Sequence, residues 1–123
     1  MTTYNAKVLG LNRDIEEEVT LEVNGVVLTC FAGVCPYELT IGQEYLVTFE
    51  MLDFDLSEQK NSEETSLKRI GNTYAYELKG KLSGSTINTV VEVSDEFLQS
   101  NYGYLDGNYI CLIVERLDVE FLN

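Results

Sequence analysis

Asp53, Asp55, Ser57, Asn61 and Glu64 fall at positions 1, 3, 5, 9 and 12 of one window, the spacing with which an EF-hand loop surrounds Ca²⁺. The match is incomplete. Position 6 is Glu58, where the sharp turn of such a loop calls for glycine, and position 8 is Lys60. The alternation upstream also predicts a strand where a helix should lead in. The window reads as a solvated acidic loop, and no metal is assigned to it. Ser57 and Lys60 also form the Ser-x-x-Lys pair of some acyl-transfer enzymes. That chemistry needs accessory motifs that are missing here.

Histidine is absent. With it go the commonest general base near neutral pH, the commonest metal ligand and the usual partner of a nucleophilic serine or cysteine. The three cysteines do not replace it. Cys30 and Cys35 are too far apart for a Cys-x-x-Cys pair, Cys111 is remote, and a tetrahedral zinc site needs a fourth ligand. An odd number also argues against a disulfide framework. Cys30 and Cys111 read as core or near-core filler, and Cys35, in a loop before Pro36, is the one open to reaction. The reading is therefore non-enzymatic, with no cofactor.

Charge is the outlying property. Eight basic residues stand against 21 acidic ones, a net of −13. Residues 1–66 hold thirteen of the acidic groups and only three of the basic ones. Nucleic-acid binding draws most of its affinity from Lys and Arg on phosphates, so the balance argues against it and equally against an anionic membrane surface. No apolar run reaches the length of a membrane span, and the N-terminus lacks the features of a secretory signal. A cytoplasmic location is the expectation. The carboxylates best placed to meet a basic protein partner are Asp53, Asp55, Glu58, Glu63 and Glu64, with Glu16, Glu17 and Glu18 as a second group. Tyr74, Tyr76, Tyr102, Tyr104 and Tyr109, near Lys68, Arg69, Lys79 and Lys81, form the competing constellation, since aromatic platforms beside basic residues stack single-stranded bases.

The elements that must carry these residues are strands. Asn24-Gly25 is the strongest hairpin signal in the chain, because a type I′ turn needs positive φ at both central residues. Folding there sets Val23 opposite Val26, Leu21 opposite Leu28 and Val19 opposite Cys30, all on one face. Glu18, Thr20, Glu22, Val27, Thr29 and Phe31 share the other. Strands are also expected over 3–9, 44–52, 73–82 and 87–93. Gly80 marks a bulge or the close approach of another backbone. Residues 53–66 form a polar, acidic excursion, long for a connection in a compact domain. Ser94 is the expected cap of a helical turn over 95–100. In the last strand, 109–121, the apolar positions change from even (Ile110, Leu112, Val114) to odd (Leu117, Val119, Phe121), which predicts a bulge near Glu115 or Arg116.

The expected architecture is one all-β domain over residues 1–123, an antiparallel barrel of about seven strands with at most one or two short helices. In strand pattern it resembles a decorated oligonucleotide/oligosaccharide-binding (OB) barrel. In size and charge the chain resembles the acidic immunity proteins that neutralise basic nuclease toxins, and DNA mimics. That resemblance implies a non-enzymatic module that docks its carboxylates on a basic partner. The OB resemblance implies instead a binder of single-stranded nucleic acid or oligosaccharide through Tyr74, Tyr76, Lys79 and Lys81. An enzyme or small-ligand carrier with a site inside the barrel is the third class, and no residue points to it.

Overall fold

The hairpin forms in the expected register. In the computed structural model, which describes residues 2–123, Asn24 and Gly25 take φ of 51° and 79°, the left-handed pair that a type I′ turn requires. Val23 faces Val26, Leu21 faces Leu28 and Val19 faces Cys30. Five of the six are buried, and Val26 is partly so.

Nine strands are present among the described residues, where the sequence predicts about seven. They are β1 (Tyr4–Leu11), β2 (Glu18–Val23), β3 (Val26–Val34), β4 (Glu44–Glu58), β5 (Ser66–Arg69), β6 (Tyr76–Ser83), β7 (Thr86–Asn88), β8 (Glu92–Ser94) and β9 (Tyr109–Phe121). One short helix, α1 (Glu96–Tyr102), and a 3₁₀ turn at Gly103–Leu105 precede β9. The returning strand expected over 87–93 is two strands. Thr89 Oγ1 accepts from Val91 N at 3.1 Å and donates to Val91 O at 2.6 Å, folding the chain between β7 and β8. The helix cap is Asp95, whose Oδ1 accepts from Phe97 N at 2.9 Å, and not Ser94.

The sheet runs β3-β2-β1-β4-β9-β6-β7-β8, with β5 on β6, and β3 also pairs with β9. That last contact turns part of the sheet into a ring of five strands, β1, β2, β3, β9 and β4. The β3–β9 side is parallel, which departs from the all-antiparallel expectation. The remaining strands and α1 form an annex, built on the far half of β4 and the near half of β9. One hydrophobic core spans both parts, from Ala6, Val8 and Leu21 to Leu82, Ile87 and Leu98.

The parity change in β9 occurs where expected, with Val114 and Leu117 both buried. Its cause is different, because no bulge interrupts the β4–β9 register: Leu52 faces Arg116 and Phe54 faces Val114. β4 changes parity at the same level, from Val47, Phe49 and Met51 to Phe54 and Leu56. Asp53 sits at the change with φ of 50°. The two strands turn over together, and this shared kink divides ring from annex.

Two long-range fits fasten the annex. A Cβ on Gly80 would lie 2.0 Å from the carbonyl oxygen of Asn88, so Gly80 marks a close backbone approach and no bulge. In β3, Thr29 turns its backbone N–H and C=O away from β2, and β9 pairs with β3 only from Phe31 onward. The Tyr76 phenol fills the gap, accepting from Thr29 N at 2.8 Å and donating to Thr29 O at 3.0 Å. A side chain completes the ladder that a strand would otherwise supply.

Candidate functional site

The acidic residues singled out by sequence lie in two separate places. Asn12 organises the first. Its Oδ1 accepts from the N–H groups of Asp14 and Ile15 at 2.8 and 3.1 Å, closing a tight turn after β1. Its Nδ2 donates to Glu18 at 2.9 Å, and the Tyr74 hydroxyl donates to the other Glu18 oxygen at 3.0 Å. These two bonds, Asn12 first, hold the Glu18 carboxyl below its ordinary pKa. Glu18 is thus tied into the fold.

Glu16 and Glu17 line a groove of about 850 Å³ with Glu38, Arg13, Cys35 and Tyr37. The Tyr37 hydroxyl donates to Leu122 O at 2.6 Å, and its ring stacks on Tyr45 at 5.5 Å. Burial, and then the neighbouring Cys35, raise the Tyr37 pKa. The thiol of Cys35 lies 3.0 Å from Tyr37 O and is exposed. Burial raises the pKa of Cys30 and, to a lesser depth, of Cys111, as filler thiols require.

The second place is not the loop that sequence predicts. β4 runs on to Glu58, so Asp53, Asp55 and Glu58 stand on a strand and are exposed. An extended backbone advances about 3.3 Å per residue, so Asp53, Asp55 and Ser57 are strung along β4 where such a loop would curl them round an ion, and Asn61 and Glu64 follow beyond its end. Among the described residues no three acidic or sulfur ligands gather in a metal-holding group.

The true connection is short and stapled. Gln59 Nε2 donates to Glu64 O and to Ile110 O, both at 2.9 Å, and Gln59 Oε1 accepts from Glu64 N at 3.1 Å. Glu64 pairs with Lys79 at 3.1 Å, and this bond raises the Lys79 pKa. Glu63 remains exposed beside a shallow hollow of about 560 Å³ shared with Glu58, Asn61 and Lys81. Three ion pairs exist among the described residues, and they engage only Glu64, Glu77 and Asp118 of the carboxylates.

The Tyr/Lys constellation does not assemble into a stacking platform. Tyr76 is 1% exposed, and burial pushes its pKa up to about 12. Tyr74 packs edge-on to Phe31 at 5.8 Å and donates to Glu18, while Lys79 is committed to Glu64. Only Lys81 points out unpaired among the four residues assigned to that role.

Of an aromatic row in the structure, the sequence singled out Tyr102 and Tyr104 and missed Phe54 and Phe97. Phe54 meets Phe97 at 6.0 Å, Phe97 meets Tyr102 at 6.2 Å, and Tyr102 meets Tyr104 at 6.3 Å between ring centroids. Phe97 is 53% exposed and Tyr104 is 77% exposed. Within α1 only Leu98 is fully buried, while Tyr102 packs partly buried against the core and Phe97 stays exposed. Nothing local links Phe97 to Phe54; β9 brings them together.

Among the described residues no helix is long and apolar enough to cross a membrane. The chain matches over residues 1–122 a family model described as uncharacterised conserved protein UCP019853. No curated protein and no solved structure matches it.

Proposed function

The chain belongs to that family, and from this premise we propose that it is a non-enzymatic module that binds a basic protein through exposed carboxylates. One observation carries the reading. Of the eight carboxylates singled out by sequence, Glu64 has an ion-pair partner and Glu18 is tied to Asn12 and Tyr74, and the other six have no Lys or Arg within bonding reach. A surface that keeps its negative charges uncompensated speeds encounter with a cationic partner and sets its orientation. A partner of this kind is a basic enzyme such as a nuclease, with this chain as its inhibitor or immunity protein.

We read the five-stranded ring as an OB-like barrel whose fourth and fifth strands, β4 and β9, are separated by the annex strands. In such barrels the second and third strands and the loop before them hold nucleic acid or sugar. Here that region bears Glu16, Glu17, Glu18 and Glu22. Phosphates would be repelled there, so the basic-protein reading is preferred to the oligonucleotide one.

The test is affinity capture from cells of the source organism with wild type and with D53N/D55N/E58Q/E63Q, followed by binding to the purified partner. The expected result is a partner with a basic binding segment, an association rate that falls steeply with salt, and about tenfold or greater weakening by the variant. An acidic partner, or a captured nucleic acid, or affinity unchanged by both salt and the variant, overturns it.

A further inference from the structure

β4 outruns one of its two partners. β1 pairs with it only over Glu44–Val47, whereas β9 follows it to Glu58. From Phe54 to Glu58 no second strand pairs with it among the described residues, so this half is an open edge of the sheet. β5 and β8, which also have a single neighbour, are only four and three residues long. Such short edges limit stray pairing. The far half of β4 is not short in this way.

The edge has a defined direction. Gln59 N donates to Tyr109 O at 2.9 Å. Bonded and non-bonded pairs alternate along an antiparallel ladder, so Asp55 and Ser57 also face β9. Phe54, Leu56 and Glu58 therefore turn their N–H and C=O groups to the open side. Side chains alternate between the two faces as well. Phe54 and Leu56 are half-buried on the inner face, and Asp55 is exposed on the outer face opposite Ile113. Asp53, Asp55 and Glu58 enter no ion pair among the described residues, and residues 44–59 contain no Lys or Arg.

We propose that this open edge accepts an extended basic segment of a partner as an added antiparallel strand, with cationic residues on the outer face beside Asp55 and apolar residues on the inner face beside Phe54 and Leu56. The proposal rests on the basic-protein reading above and adds how that partner is held. Main-chain bonds to Phe54, Leu56 and Glu58 supply affinity, and the alternation of cationic and apolar residues selects the segment. A second copy of this chain is a poorer occupant, because two β4 edges would set the same carboxylates against each other.

The probe is a seven-residue peptide with blocked ends in which valine and arginine alternate, titrated calorimetrically into the intact protein at physiological salt. The control has the same composition with its valines and arginines in separate blocks. The expected result is at least tenfold tighter binding of the alternating peptide. In the antiparallel register the valines, opposite Phe54, Leu56 and Glu58, give their N–H groups to β4, and the arginines turn theirs to solvent. N-methylation of the valines therefore weakens binding at least tenfold, and N-methylation of the arginines leaves it nearly unchanged. On the protein side, Glu58→Pro removes an open-side N–H without taking a bond from β9. It should weaken the alternating peptide at least threefold more than Glu58→Gln does.

Equal, salt-sensitive binding of the alternating and block peptides overturns strand addition and leaves the basic-protein reading standing. Any other pattern of response to the two methylations also overturns it, as does Glu58→Pro binding as well as Glu58→Gln. Absence of binding by either peptide overturns both readings. If Glu58→Pro loses its fold, the methylated peptides on the wild-type protein decide.

Discussion

The ring and the annex both rest on backbone ladders and differ in their further ties. In the ring β2 is laddered on both sides, β3 meets β9 at only two positions, and the order of the first strands follows from a hairpin and simple alternation. The annex is laddered as well, β6 to β9 over Tyr76–Lys81 and to β5 and β7 on its other side, and single groups add to this: the Tyr76 phenol on Thr29, the missing side chain of Gly80 against Asn88, and Gln59 across the connection after β4. Smaller ties add to these, from Glu92 N to the Tyr4 hydroxyl at 2.7 Å and from Asn24 to Val90 O at 3.2 Å. Functional character divides along the same line. The ring's acids include one held by Asn12 and Tyr74 and two in a groove beside Arg13; the far half of β4 presents exposed acids with no ion-pair partner. Backbone ladders serve both parts, and the annex depends in addition on a few side-chain groups that reach from one strand to another.

The sharpest way to break that contrast is Gly80→Ala. Its Cβ would meet backbone, which cannot rotate away, so β6 and β7 must separate. A loss of about 3 kcal/mol is expected in urea unfolding. Hydrogen exchange should quicken more in β6 to β8 than in the β2–β3 hairpin. Uniform quickening would show that ring and annex are one cooperative unit.

Tyr76→Phe comes next. It keeps the ring volume and strands the buried N–H and C=O of Thr29, for an expected cost of about 2 kcal/mol. It also carries a pH signature. The native pKa of about 12 lies above the ordinary value of 10, so the neutral phenol is favoured by folding. Its contribution is complete below pH 10 and is lost as pH rises through about 12. Stability measured across that window should fall less in Tyr76→Phe than in wild type. Tyr74, also raised, leaves part of the slope in place.

Gln59→Ala removes three hydrogen bonds from an exposed connection and should cost about 1 kcal/mol, with faster proteolysis confined to residues 59–65. The smallest effect belongs to the ring's own acid. The lowered pKa of Glu18 gives stability that is present above the ordinary carboxyl value of 4.5 and is lost as pH falls through the native value. Glu18→Gln should flatten the acid end of the stability profile and leave the neutral region nearly unchanged. An unchanged acid limb would mean that Asn12 and Tyr74 do not hold this carboxylate in solution.

The sequence was most legible where the partners of a residue are near it in the chain. Asn24-Gly25 names its own turn, and the alternation on either side sets the register and most of the inward face of the hairpin. Gly80 announced a special position, and only the path of β7 decides that it is a close approach. The parity change in β9 was visible while its cause was not, because the compensating change lies in β4 at Asp53. For the same reason residues 53–58 read as a loop: Phe54 and Leu56 still alternate with polar neighbours, but on the opposite parity from Val47, Phe49 and Met51, so the strand signal broke at Asp53. Tyr76 resembled a surface tyrosine until β3 supplied a gap for its hydroxyl. The aromatic row joins β4 to α1 across more than forty residues, and no periodicity reports it.

The central claim is that a cationic partner is met by the exposed carboxylates on the far half of β4 and the connection after it. Backbone amide NMR of the labelled protein, titrated with an arginine-rich peptide at physiological salt, tests it most directly. The account predicts shift changes concentrated at residues 53–63, with those near Glu16, Glu17 and Glu38 unmoved. Changes centred on the groove, or spread evenly over every acidic surface, would contradict it.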